Sequence, residues 1–140
     1  MAYVIQVNPI DLEKNVALGL DLPMSAAYGS KFQLNYTSKE QAIANAKNLL
    51  LTEPGERIML PDFGCGLKRA LFEQLTQEGL DTLDRRIRLS FRKYLPYIHI
   101  QNLIFTPNEV QKSLAIKLDI SLDPEGIDTQ SIIVEVNGQI

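Results

Sequence analysis

The sequence predicts an α+β fold: helices packed on one face of a small, mainly antiparallel sheet, with a β-rich C-terminal part. Three observations carry this. Apolar residues recur at helical spacing from Leu80 to Tyr94, they alternate strictly from Leu114 to Leu122, and the helical segments precede the long strands. Helices first and strands after is the order of a segregated α+β domain, not of alternating parallel units. The 140 residues, 45% of them hydrophobic, fit a single domain spanning 1–140 that buries a real core without covalent staples.

The first 36 residues read as irregular. Tyr3 to Val7 is a short apolar run, Asn8-Pro9 reads as a turn, Ala17 to Leu22 is a second apolar patch closed by Pro23, and Ala26 to Ser30 is a loop. A helix follows, opened by a capping box of Thr37 with Glu40 or Ser38 with Gln41. Ile43, Ala46, Leu49 and Leu50 supply its apolar face, and Pro54-Gly55 lies beyond its end.

Glu53 to Gly66 reads EPGERIMLPDFGCG. Proline presets φ and glycine permits positive φ, so this loop has a fixed path. A short helix over about 67–75 comes next. The longer helix then starts at Thr76 and carries Leu80, Leu83, Ile87, Phe91 and Tyr94 within one stripe before Pro96 ends it.

In the β part, Leu114, Ile116, Leu118, Ile120 and Leu122 face one way, and Ser113, Ala115, Lys117, Asp119 and Ser121 the other. Ile98 to Phe105 is the expected hairpin partner across Thr106-Pro107-Asn108-Glu109. After the Asp123-Pro124-Glu125-Gly126 turn, Ile132, Val134 and Val136 alternate in a last strand.

Composition excludes several functions. No run of about 18 apolar residues exists, so a membrane span is not expected, and the first residues lack the pattern of a secretory signal. One cysteine, Cys65, excludes an internal disulfide, and a single histidine, His99, excludes a His/Cys zinc cluster. With 14 basic against 17 acidic residues and a net charge of −3, no general nucleic-acid footprint is expected.

Candidate chemistry is sparse. Cys65 and His99 are the sole thiol and imidazole, and each reads more naturally as structural. Glu53, Glu56, Asp62 and Glu73 are carboxylates of the kind a glycosidase needs in pairs about 5–9.5 Å apart; the plainer reading has Glu56 pairing with Arg57 or a partner, and Asp62 and Glu73 capping or flanking a helix start. On the long helix, Arg85, Arg88 and Arg92 lie on one side and Arg86 and Lys93 on another. Leu89 falls between them, opposite the core. A leucine ringed by arginines suits a protein interface, whereas DNA is disfavoured because no stacking aromatics interleave them. The glycines match no phosphate-loop pattern.

The loop itself is more specific. Thr52-Glu53-Pro54-Gly55-Glu56-Arg57, then Pro61-Asp62-Phe63-Gly64-Cys65-Gly66-Leu67, then Leu71-Phe72-Glu73, resembles the signature of the baseplate wedge protein family of contractile phage tails. Members are also called sheath initiators, some carry a lysozyme-like label, and the family extends to type VI secretion and other contractile injection systems. Leu18 to Pro23 is similar to the family's upstream segment. Ile58-Met59-Leu60 stands where some members have a shorter or more polar stretch.

The resemblance implies a non-enzymatic subunit of the virion tail baseplate, assembled in the host cytoplasm, without cofactors. Its partners would be the larger wedge subunits and the tail sheath protein, with tail tube or hub proteins as further candidates; nucleic acid binding and direct membrane insertion are not expected. The positions matching the family's contact to the wedge core are Glu56, Arg57 and Pro61, with Phe63 and Gly64 holding the loop. The family's sheet also receives strands from sheath subunits. Here the apolar terminal segment of Ile132, Val134 and Val136 is the one suited to strand exchange, because a sheet edge is an unpaired row of backbone donors and acceptors. The alternatives are a muralytic glycosidase using two of the loop acids, and a regulatory protein-binding module of the same fold.

Overall fold

In a computed structural model the α+β order of the sequence is realised. The structure describes residues 9–13, 15–22, 32–72, 76–108 and 110–137. The expected apolar run from Tyr3 to Val7 and the loop from Ala26 to Ser30 lie outside them, as do Asn8 and Glu73.

The chain forms two compact units, 1–45 and 46–140. In the first, a 3-10 turn (Pro9–Leu12) precedes a two-stranded antiparallel ribbon of β1 (Gly19–Leu20) and β2 (Leu34–Asn35). The ribbon stands within the segment expected to be irregular, because two-residue strands carry no periodicity. Asn35 is buried and satisfied, its amide donating to the Leu20 carbonyl and to Gln41 Oε1. Helix α1 (Ser38–Leu51) opens in this unit. Of the two capping boxes expected, the structure forms the first: Glu40 N–H donates to Thr37 Oγ1 at 3.2 Å, and Thr37 N–H to Glu40 Oε2 at 3.3 Å. Asp11 Oδ1 also accepts from the Ser38 amide and hydroxyl, both at 2.8 Å.

The second unit holds the end of α1, then α2 (Leu67–Phe72), α3 (Gln77–Tyr94) and a sheet of β3 (His99–Asn108), β4 (Ser113–Ser121) and β5 (Thr129–Asn137). Strand order is β3-β4-β5, antiparallel throughout. Leu83, Ile87 and Phe91 of α3 are buried, as are Leu114, Ile116, Leu118 and Ile120 of β4 and Ile132, Val134 and Val136 of β5. Helix α2 lies against β5, and α3 against β3. Thr76 caps α3, its side chain accepting from Gly79 N–H at 3.3 Å. No helix among the described residues is long and apolar enough to cross a membrane.

Three expectations need correction. The apolar face of α1 is Ala42, Ala46, Leu49 and Leu50, with Ala44 also buried, whereas Ile43 is only half-buried. The β3–β4 turn does not fall at Thr106 to Glu109. Strand β3 runs through Pro107 to Asn108, because an edge strand tolerates a residue with no N–H to donate. Ser121, expected to face outward, is buried, its hydroxyl accepting from Gln101 Nε2 and donating to the Asp123 carbonyl.

Candidate functional site: a braced, exposed loop

The loop between α1 and α2 is built from three successive turns. Glu56 N–H donates to the Glu53 carbonyl (3.1 Å), Leu60 N–H to the Arg57 carbonyl (3.3 Å) and Phe63 N–H to the Leu60 carbonyl (3.1 Å). The first has Pro54 then Gly55, whose φ of 97° is the positive value a type II turn needs at that position. Two cross-links close the loop. Gly55 N–H donates to the Pro61 carbonyl at 2.7 Å, and Cys65 N–H to the Thr52 carbonyl at 3.3 Å. At the base, Gly64 has φ 122° and lies so near the Thr52 carbonyl that a Cβ would overlap it.

Side chains complete the bracing. Phe63 is buried and packs edge-on against Tyr94 of α3, ring centroids 5.1 Å apart. Arg57 lies over the Phe63 ring, its guanidinium carbon 3.9 Å from the centroid. Ser90 Oγ donates to the Gly64 carbonyl at 3.4 Å. Glu53 Oε1 accepts from Lys68 N–H at 2.7 Å, capping α2 from fifteen residues away. The exposed pair Lys93–Asp62 stands at 3.8 Å and adds little.

Thus the loop residues singled out in the sequence form one cluster in which Phe63 and Gly64 hold the backbone. Glu56 and Arg57, expected to pair, do not. Glu56 Oε2 instead accepts from Glu53 N–H at 3.1 Å, and the Arg57 guanidinium has no carboxylate partner among the described residues. The tip displays Ile58 and Met59, 95% and 92% exposed. In the sequence these two stand out only as a departure from the family, although their position between two turns is what presents them. Tyr94, expected in the core, also makes the edge contact with Phe63.

The three β5 residues are separate from this cluster. Ile132, Val134 and Val136 point into the core, while Ile133 is 66% exposed, on a strand at the end of the described strand order.

The enzymatic alternatives find little support. Cys65 is buried, and that burial pushes its thiol up to about 12, with the Ser90 hydroxyl pulling down, Glu53 pushing up and Arg86 pulling down. His99 is not among these neighbours; it pairs across the sheet with Ser121. Glu53 is committed to the α2 cap, while Asp62 is 82% exposed at its side chain. Among the described residues, no group of three or more His, Cys, Asp or Glu is placed to hold a metal ion.

The fold is shared with several solved structures, two of them baseplates. A Geobacter sulfurreducens chain described as a tail lysozyme superposes with a TM-score of 0.63 at 20% identity, covering 74% of this chain and 94% of that one. A chain of the anti-feeding prophage baseplate gives 0.54 at 23% identity (86% and 85%), and one of the type VI secretion baseplate complex 0.53 at 19% (71% and 93%). At these identities the likeness establishes the fold.

Sequence goes further. The profile of the family described as baseplate wedge protein gp25 matches residues 37–126. The baseplate wedge protein gp25 of Enterobacteria phage T4 is 31% identical over 97 residues, spanning 65% of this chain and 74% of that protein. The chain therefore belongs to the baseplate wedge protein gp25 family, and its role is that of a structural component of a contractile-tail baseplate.

Proposed function

We propose that this wedge subunit docks onto the core of larger wedge subunits through the Glu53–Gly66 loop and starts the sheath by accepting strands at the β5 edge. The observation that carries the first half is Arg57. Its guanidinium is held over Phe63 on a loop closed by two backbone hydrogen bonds, and no described carboxylate neutralises it. A planar, permanently charged fork presented at low ordering cost suits bidentate recognition of a carboxylate or of backbone carbonyls. Ile58 and Met59 beside it supply apolar area for the same contact. The second half is supported by the position of β5 at the end of the strand order.

Co-expression with the neighbouring wedge and sheath proteins of the same genome, run beside a cell-wall lysis assay, tests this reading. Stable co-purification without lysis is expected. Lysis that disappears on replacing one loop carboxylate, without co-purification, would overturn it in favour of a glycosidase.

A further inference from the structure

We propose that the Arg85–Leu89–Arg92 ridge of α3 is a second docking surface, and that it receives an acidic amphipathic helix of a neighbouring protein. The ridge is distinct from the loop and from the β5 edge. Leu83, Ile87 and Phe91 bury the opposite side of α3, which leaves Leu89 57% exposed. Arg85 and Arg92 stand four residues before and three after it, on the same face and about 10 Å apart along the axis.

Charge on this helix is sorted. Glu78, Asp81 and Asp84 occupy its first half, and from Arg85 to Tyr94 there are five basic residues and no acid, in a chain whose net charge is −3. Arg88 is neutralised by Asp84, Nε to Oδ2 at 2.9 Å. Arg85 and Arg92 have no carboxylate partner among the described residues. A concavity of about 510 Å³ runs along the face, lined by Asp81, Asp84, Arg85, Arg88, Leu89 and Arg92.

These features specify the occupant. Two carboxylates seven residues apart on a helix lie about 10 Å apart, matching Arg85 and Arg92, and an apolar residue between them meets Leu89. Asp81 bounds the acidic register, since a carboxylate placed there would face a like charge. Nucleic acid fits poorly, because two aspartates line the concavity and no aromatic does.

The test places a benzoyl-phenylalanine photocrosslinker at position 89 of the full chain in assembled baseplates, and maps the linked peptide by mass spectrometry. A peptide with acidic residues flanking an apolar one is expected. Crosslinking should fall on the order of tenfold in the Arg85→Glu/Arg92→Glu double variant and return when the mapped acids are changed to lysine. The Arg57→Ala variant tests the loop contact separately. If baseplates still assemble and no crosslink forms, or if the linked segment is basic, uncharged or nucleic acid, the proposal fails whatever the loop does. Position 89 is exposed, and an unchanged melting curve of the Leu89→Ala variant checks that the fold is intact.

Discussion

Arg57 lies over the ring of Phe63, 3.9 Å from guanidinium carbon to centroid, and the same ring packs edge-on against Tyr94, centroids 5.1 Å apart. The stack couples an exposed cation to the hydrophobic core through one aromatic side chain. It holds the Arg57 charge at the loop surface with no carboxylate partner among the described residues.

Phe63→Leu separates position from charge. It keeps most of the apolar volume but removes the π face under Arg57 and the edge contact with Tyr94. A stability loss of about 1–2 kcal/mol is expected from denaturant midpoints. Wedge association should weaken although Arg57 is still present. Unchanged association would mean that the stack does not position the arginine.

The two glycines of the loop should respond differently to alanine. At Gly64, positive φ combines with overlap on the Thr52 carbonyl, and a loss above about 2 kcal/mol is expected. At Gly55 there is open space around the added Cβ, so backbone strain of about 1 kcal/mol is the whole cost. Thermal unfolding of the two variants checks the ranking.

Cys65 makes the fold sensitive to alkali. Its folded thiol, at about 12, lies above the ordinary 9.0, so the folded state retains a proton that the unfolded state releases. Stability from this source is complete below pH 9 and falls as pH rises from 9 towards 12. The thiol should resist a disulfide reagent at pH 8 until the protein is unfolded. Fast labelling of the native protein would contradict its burial.

Ile133→Lys tests the sheet edge. Ile133 is 66% exposed between the buried Ile132 and Val134 and lies opposite Lys117 in the register, so a lysine there should cost no more than about 1 kcal/mol, through like-charge repulsion across the strand pair. Lysine on an edge strand opposes strand addition. Sheath polymerisation on wedge-bound protein should therefore fail while wedge binding persists. Normal sheath growth would move the strand-exchange site elsewhere.

Much of this architecture is legible in the residues. The stripe of α3 and the alternation of β4 follow from periods of 3.6 and 2, and the Thr37/Glu40 box marks the start of α1. In β3 the inward residues Ile100, Leu103 and Phe105 break phase once, and the structure answers with a register shift at Gln101. The cap from Glu53 to Lys68 spans fifteen residues, and the Arg57–Phe63 stack six. Neither has a periodic signature, because each exists only once the turns have folded the loop back. Charge adjacency suggested a Glu56–Arg57 pair, but the turn gives Glu56 a backbone amide to accept instead.

The most direct test of the central claim is the affinity of the wedge core for the chain carrying Arg57→Ala, with Arg57→Lys alongside. Removing an exposed cation–π contact should cost about 0.5–1 kcal/mol of stability, a few degrees of melting temperature, leaving the fold intact. Loss of association in the alanine variant, with only partial recovery by lysine, is the predicted result, since lysine restores charge but not the planar fork. Undiminished association of a folded Arg57→Ala protein would contradict the account.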